Sequence, residues 1–216
     1  MDITIAEELL LLAHDEETGR PHIREAALDL AVTGAILAEL TLAGRLRLAG
    51  DRLEAGDRTP TGDEELDGAL GTIAESQPRE ARWWLDRLTY PKRRWSLLKR
   101  LAERGVLSEQ HGKVLGLFRT SQYPERDPRV EREIRRRLHE VLDGAEPDGR
   151  VSVLVALVGA CGLGPTLFPG ARRDRVREIA EGQWTGPAVA DAIAAINNAV
   201  RITTHVAMGN IIAASD

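Results

Sequence analysis

The stretch GAILAELTLAGRLRL, residues 34 to 48, contains the point at which a long apolar helix gives way to a hairpin. The helix is predicted to run from about His22 to Ala43, because small and aliphatic residues recur there at helical spacing. These residues are Ala27, Leu30, Ala31, Gly34, Leu37 and Ala38. So apolar a helix is expected at the centre of a bundle. Beyond it, Leu46 and Leu48 alternate with arginines before a turn at Gly50-Asp51, which predicts a small hairpin.

Sequence signals on either side of this stretch predict further helices. Thr4 and Glu7 have the spacing of a capping box, and Asp127-Pro128 places an N-cap before a proline at the first helical position. A second hairpin is expected about a turn at His111-Gly112. The stretch TPTGDEELDGAL, residues 59–70, is predicted to be a loop that runs into a helix. The other predicted helices are Pro78 to Leu88, Trp95 to Arg104, one that begins at Val151, Arg172 to Glu181, and Pro187 to about Ala213. The prediction is a mainly α fold, a single helical domain over residues 1–216 with a central core, surrounding amphipathic helices and one or two small β-hairpins.

Composition limits the class of protein. The chain has a formal charge of -5, and its one cysteine excludes an internal disulfide and favours a reducing compartment. Its beginning, MDITIAEELLLLAHDEE, lacks the basic start of a signal peptide. The longest apolar run, residues 151–164, is too short to cross a bilayer as a helix. We therefore expect a cytoplasmic protein whose contact with a membrane would be peripheral, on the cytoplasmic face.

Signatures of catalysis are missing from the sequence. The five histidines have no metal-ligand spacing with one another or with Cys161, and no glycine-rich loop joins a strand to a helix. Asp29 and Glu39 on the central helix are the nearest candidates for acid–base work, but a hydrogen-bonded structural role fits Asp29 better. The sequence therefore predicts a protein that is not an enzyme and has no metal or other cofactor.

One window reverses the acidic balance of the chain. Six Lys or Arg residues and three of the four tryptophans lie between Trp83 and Arg100, against the single acid Asp86. Basic side chains attract an anionic membrane leaflet, and tryptophan and tyrosine are favoured at headgroup depth. The alternative is a helix that buries Leu97, Leu98 and Leu101 and whose basic side is only solvated. The window favours an anionic partner over this alternative by a small margin.

Six stretches, spread over nearly the whole chain, form a recognisable series. They are ITIAEELLLLA, GAILAELTLAGRLRL, PTGDEELDGAL (residues 60–70), IAESQPRE (73–80), LAERGVL (101–107) and the LF that ends a hairpin at residues 117–118. By the order and spacing of these stretches, rather than by any single one, the chain resembles the Golgi phosphoprotein 3 family. Nearly all of the basic residues are arginine, which is typical of a GC-rich bacterial genome and indicates the bacterial form of the family.

The resemblance implies a helical core with a projecting hairpin and a peripheral membrane role. Eukaryotic members bind phosphatidylinositol 4-phosphate in a shallow basic pocket, so the implied partner is an anionic phospholipid headgroup. Of the family's pocket positions, only Arg94 matches; Arg24, Thr33 and Pro91 stand where the family has a tryptophan and two arginines. Replacement charge would come from neighbouring residues. The predicted lipid-binding residues are Arg94, Arg93, Lys92, Trp95 and Arg24, and their charged groups are expected to face outward together as one cluster.

The second hairpin has its own predicted role. In the family it meets the bilayer or a neighbouring subunit, which here implies membrane insertion or a homo-oligomer through Val114, Leu115, Leu117 and Phe118.

Two other functions of the protein stay open. A basic helix followed by a hairpin is also the pattern of a winged-helix nucleic-acid-binding protein. Two features disfavour nucleic acid as a partner: the chain is acidic overall, and Lys113 is the single basic residue counted in the hairpin. A scaffold that binds a protein tail is the other alternative.

Overall fold

The computed structural model describes residues 3–114, 118–170, 173–181 and 187–209. Most of these residues are helical, which confirms the predicted fold class. The described helices are α1 (Ile5–Ala13), α2 (Glu25–Leu42), α3 (Glu64–Ala74), α4 (Ala81–Leu88), α5 (Pro91–Glu103), α6 (Pro128–Leu142), α7 (Gly149–Ala160), α8 (Gly164–Leu167), α9 (Arg173–Glu181) and α10 (Pro187–Gly209).

Two small antiparallel sheets accompany the helices. In the first, β1 (Leu46–Ala49) pairs with β2 (Arg52–Ala55) about the turn predicted at Gly50-Asp51. A third strand, β3 (Arg79–Glu80), pairs with β2, which the sequence did not predict. The second sheet consists of β4 (Gln110–Val114) and β5 (Phe118–Gln122).

Helix α2 occupies the centre of the bundle, as its sequence predicts. It contacts α1, α3, α4, α5, α7 and α10, and its middle turns are buried on all sides. Gly34 permits the close approach of two of these neighbours, since an added Cβ would lie 2.6 Å from Val200 Cγ2 and 3.2 Å from Leu157 Cδ2. The predicted capping box begins α1, where Thr4 Oγ1 accepts a hydrogen bond from the backbone N–H of Glu7.

Several predicted boundaries are wrong. Helix α5 begins at Pro91 rather than Trp95, because proline suits the first helical position and the extended Tyr90 precedes it. Helix α4 begins at Ala81 rather than Pro78, since Arg79 and Glu80 join the sheet. The hairpin turn is not at His111-Gly112, because both residues lie within β4. The predicted end of the last helix, Ala213, lies outside the described residues.

Candidate functional site

The first turn of α5 lies between α2 and α3 and holds Arg93 and Arg94, the two adjacent arginines at the centre of the predicted lipid site. Successive residues of a helix point about 100° apart, so neighbouring side chains reach different neighbours. Arg94 extends to α2 and Arg93 extends to α3. The two guanidinium groups therefore leave α5 in different directions and do not form one cationic surface.

Arg94 is buried in a network of acids. Only 1% of its surface is exposed. Its Nε donates to Asp29 Oδ1 at 2.7 Å, and its Nη2 donates to Glu25 Oε2 at 2.6 Å. The ring of Trp95 lies 4.6 Å from the guanidinium carbon. The prediction that Arg94 faces outward is wrong, because it is buried and two carboxylates one turn apart on α2, the buried Asp29 and the exposed Glu25, neutralise its charge.

Arg93 is held in a similar way on another side of α5. It is 4% exposed, and its Nε donates to Glu65 Oε2 at 3.0 Å. Its Nη1 donates to the carbonyl oxygen of Leu88, and its guanidinium carbon lies 4.5 Å from the ring centre of Tyr90. The outward position predicted for Arg93 is therefore also wrong. Its charge is compensated by α3 and by the end of α4.

Of the other three predicted lipid-binding residues, Trp95 packs against Arg94, whereas the two cations are exposed. Arg24 is exposed at the N-cap of α2, and Lys92 is exposed in the first turn of α5. Trp95 is half-buried, with its ring 5.9 Å from that of Tyr123. The five residues thus comprise two buried ion-paired arginines, two exposed cations and one packed aromatic. Their role in lipid binding stays a prediction, but the single outward cluster expected from the sequence is not present.

A pocket of about 540 Å³ opens beside Arg94. Its lining includes His14, Arg20, Glu25, Trp95 and Tyr123. His14 is buried and donates its Nδ1–H to the carbonyl oxygen of Leu10 at 2.7 Å, and burial lowers the pKa of His14 to about 4. The imidazole is therefore neutral at pH 7, and Arg94 is paired with Glu25 and Asp29. Arg20 is exposed and forms no ion pair with a described residue, so it is the cation that this pocket offers to an anion.

Among the described residues, unpaired arginines beside exposed aromatic rings lie on α4. Arg82 and Arg87 are exposed, and neither pairs with a carboxylate in the part of the chain that the structure describes. Trp83 is 40% exposed, and the guanidinium carbon of Arg79 lies 5.3 Å from its ring centre. Tyr90, 43% exposed, follows at the end of α4. We refer to Arg79, Arg82, Trp83, Arg87 and Tyr90 as the α4 surface.

The α4 surface follows from the amphipathic pattern of the helix. Trp83 and Arg87 are four residues apart in α4 and share one side, and Arg79 of β3 lies against the ring of Trp83. The buried side of α4 consists of Ala81, Trp84, Leu85 and Leu88. Trp84 anchors that buried side, since its Nε1–H donates to the carbonyl oxygen of Leu53 at 3.2 Å. None of the five residues of the α4 surface is among the lipid-binding residues predicted from the sequence. The four-residue spacing of Trp83 and Arg87 is the sequence signal that places these two side chains on one side of α4.

The second hairpin is only partly described. Val114 at the end of β4 pairs with Phe118 at the start of β5. Leu115 and Leu117 lie outside the described residues. The insertion or homo-oligomer role that the sequence predicts for these four residues therefore stays a prediction.

The described residues also bear on metal binding and membrane spanning. Among them, no three His, Cys, Asp or Glu side chains gather in a way that could hold a metal ion. Within the same residues, no helix has both the length and the apolar character needed to cross a bilayer. The absence of catalysis stays a prediction.

Comparison with known proteins tests the resemblance seen in the sequence. A comparison with curated proteins finds no match. The family model of Golgi phosphoprotein 3 (GPP34) matches residues 5–196, nearly the whole chain, and this confirms the resemblance. The chain therefore belongs to the Golgi phosphoprotein 3 (GPP34) family.

Proposed function

We propose that this protein is a non-enzymatic peripheral membrane protein that binds anionic lipid headgroups through the α4 surface. The observation that carries the proposal is the exposure of Trp83 and Tyr90 beside unpaired guanidinium groups on a chain of net charge -5. Aromatic rings of this kind are favoured at the membrane–water interface, and unpaired arginines are favoured beside acidic headgroups. Family membership supports the same class of function. Association would take place at the cytoplasmic face of the membrane.

The expected strength of this attraction is modest. A basic side chain near an anionic leaflet contributes about 1 kcal/mol, so the three arginines of the α4 surface give on the order of a hundredfold in affinity. Lys92, which follows two residues after Tyr90, is exposed and adds to the same attraction. Because the charges are on the surface, salt should weaken the binding.

The proposal concerns anionic headgroups as a class. Phosphatidylinositol 4-phosphate, the lipid implied by the family, is one member of this class. A dedicated monophosphate pocket would require an arginine free to make a bidentate contact. Arg94, the matching position, already donates to Asp29 and Glu25. We therefore assign Arg93 and Arg94 to the support of α5 and assign lipid contact to α4.

Vesicle co-sedimentation tests the proposal. Vesicles of phosphatidylcholine with phosphatidylglycerol should bind the protein, vesicles of phosphatidylcholine alone should not, and added salt should release it. The double variant Arg82→Glu/Arg87→Glu should bind at least about tenfold more weakly.

A matched control is Arg129→Glu/Arg177→Glu, which makes the same change of charge at exposed arginines on α6 and α9. Both helices pack against α7. The control should lose less than about twofold if binding is local to α4 rather than a response to net charge. Equal sedimentation with neutral vesicles, or equal losses in both double variants, would overturn the proposal. Tight binding of duplex DNA at physiological salt would favour the nucleic-acid alternative.

A further inference from the structure

A second pocket, of about 410 Å³, lies between α3 and the turn that joins α4 to α5. Arg87 and Tyr90 line it, so it opens directly beside the α4 surface. Its opposite wall comes from α3 and includes Glu64, Glu65 and Gly68. The volume lies within the range of small-ligand sites. The pocket is thus placed where a headgroup would arrive if the α4 surface rested on a membrane.

Within the described residues, the α3 wall of this pocket carries one uncompensated negative charge, that of Glu64, because the charge of Glu65 is paired with Arg93, which also lines the pocket. Glu64 is exposed in the first turn of α3 and forms no ion pair with a residue that the structure describes. Glu65 gives its Oε2 to Arg93, while its Oε1 has no hydrogen-bond partner among the described residues. An anionic ligand without a positive group would therefore meet repulsion on this side.

The α4 wall carries uncompensated positive charge. Arg87 is exposed, lines the pocket and, within the described residues, lies beyond ion-pair distance of Glu64 and Glu65. A ligand that fills the space between the two walls can satisfy both charges only if it carries charges of both signs. Free guanidinium groups favour phosphate, and carboxylate oxygens favour a cation that donates hydrogen bonds.

We propose that this pocket binds the headgroup of an aminophospholipid, a phosphate joined to a primary ammonium as in phosphatidylethanolamine. The phosphate lies at Arg87 and the ammonium lies at Glu64 and the free oxygen of Glu65. Choline has the same net charge, but its quaternary nitrogen has no N–H to donate, so the pocket distinguishes the two. The inference rests on the proposed membrane association for its lipid source, and Arg87 belongs to both surfaces.

Gly68 offers a way to close the pocket without a change of charge. It lines the pocket in the interior of α3, and an added Cβ would meet no atom within 4 Å. A leucine at this position should fill the space and leave the fold intact. Gly71 lies on the same helix, is exposed, and its Cβ position is also open. Gly68→Leu and Gly71→Leu are therefore a matched pair of variant and control.

The test compares vesicles with a fixed fraction of phosphatidylglycerol in which the remainder is phosphatidylcholine or phosphatidylethanolamine. The unmodified protein should bind the ethanolamine vesicles about fivefold to tenfold more tightly, the effect expected of new charge-assisted hydrogen bonds. Gly68→Leu and Glu64→Gln should remove this preference and keep the dependence on phosphatidylglycerol. Gly71→Leu should keep both.

Soluble headgroups separate this inference from the proposed function. O-phosphoethanolamine should shift the NMR signals of α3 amides, and inorganic phosphate and phosphocholine should shift them at least about fivefold less at equal concentration. Loss of phosphatidylglycerol dependence together with retained O-phosphoethanolamine binding would overturn the proposed function and support the pocket. Equal binding of phosphoethanolamine and phosphocholine, or a preference that survives Gly68→Leu, would overturn the pocket.

Discussion

In the first turn of α5, Arg93 and Arg94 are buried against acids, whereas Arg82 and Arg87 on α4 are exposed without a described ion pair. The two segments are adjacent in the chain and similarly rich in arginine and aromatic residues. They differ in what faces them. Helix α5 faces Asp29, Glu25 and Glu65, which come from α2 and α3. On the solvent side of α4 the exposed acid is its own Asp86, and within the described residues neither Arg82 nor Arg87 pairs with it or with an acid of another helix.

This difference teaches that a count of basic residues is not a count of available charge. A buried arginine that pairs with two carboxylates holds helices together but presents little field outside the protein. An exposed arginine contributes little to stability but remains available to a partner. The same side chain should therefore affect stability in one region and binding in the other.

The largest expected effect is on the buried pair. Arg94→Met should lower the free energy of unfolding by about 3–5 kcal/mol, because Asp29 would keep a buried charge without its partner. Urea denaturation at pH 7 measures this. A loss below about 1 kcal/mol would mean that the pair is hydrated, and Arg94 would again become a candidate for lipid contact.

The double variant Arg94→Met/Asp29→Asn provides the control for this pair. Removal of both charges should cost less than the sum of the two single substitutions, since each single variant breaks the same interaction. Additive losses would contradict a direct coupling between these side chains.

The next effect concerns pH, through His14 in the pocket beside Arg94. Its pKa is about 4 in the folded protein and 6.5 in a free chain. The unfolded chain therefore takes up the proton first as the pH falls. About 3 kcal/mol of stability, fully present above pH 6.5, should be lost between pH 6.5 and 4. The difference in unfolding free energy between the unmodified protein and His14→Gln, measured across this range, isolates the effect.

Glu131 on α6 provides a control of opposite sign. It is buried, and this burial raises its pKa to about 7 although Arg135 Nε donates to it at 2.7 Å. Here the folded protein holds the proton more tightly than the free chain. The stability that Glu131 contributes is fully present below pH 4.5 and falls as the pH rises to 7. The difference in unfolding free energy between the unmodified protein and Glu131→Gln should therefore fall as the pH rises, whereas the difference for His14→Gln should increase. Slopes of the same sign for both variants would contradict these assignments.

A smaller loss is expected at Arg93. Arg93→Met should lower the free energy of unfolding by about 1–3 kcal/mol, because Glu65 and the carbonyl oxygen of Leu88 would lose a hydrogen-bond donor. Glu65 borders an open pocket and can be hydrated in the variant, which makes the loss smaller than for Arg94. If the same urea titration showed equal losses for Arg93→Met and Arg94→Met, the expected difference between the two buried arginines would be contradicted.

The smallest effect on stability belongs to the α4 surface. Arg82→Glu/Arg87→Glu should change the free energy of unfolding by no more than about 0.5 kcal/mol, as is usual for exposed positions. The same variant should show the weakened vesicle binding described above. A stability loss comparable to that of Arg94→Met would mean that Arg82 and Arg87 stabilise the fold. It would contradict the contrast between exposed arginines on α4 and ion-paired arginines on α5.

The sequence predicted the helices well where local signals are strong. The small-residue stripe of α2, the capping box of α1 and the Asp127-Pro128 start of α6 each depend on neighbouring residues, and each is found as predicted. Strand β3 was missed because two residues carry no periodicity of their own and pair only through a distant hairpin. The turn of the second hairpin was misplaced because Gly112 is typical of a turn but lies within β4.

The candidate site also has some features that local sequence determines and others that depend on distant residues. From the sequence alone come the family, the mainly helical fold and the concentration of basic and aromatic residues between residues 83 and 100, because these depend on local order and composition. Only the tertiary structure decided which arginines are free, since their acidic partners lie about thirty to seventy positions away in the chain. The physical reason is that burial and ion pairing depend on which helices pack together, and the field of a charge depends on what packing places beside it.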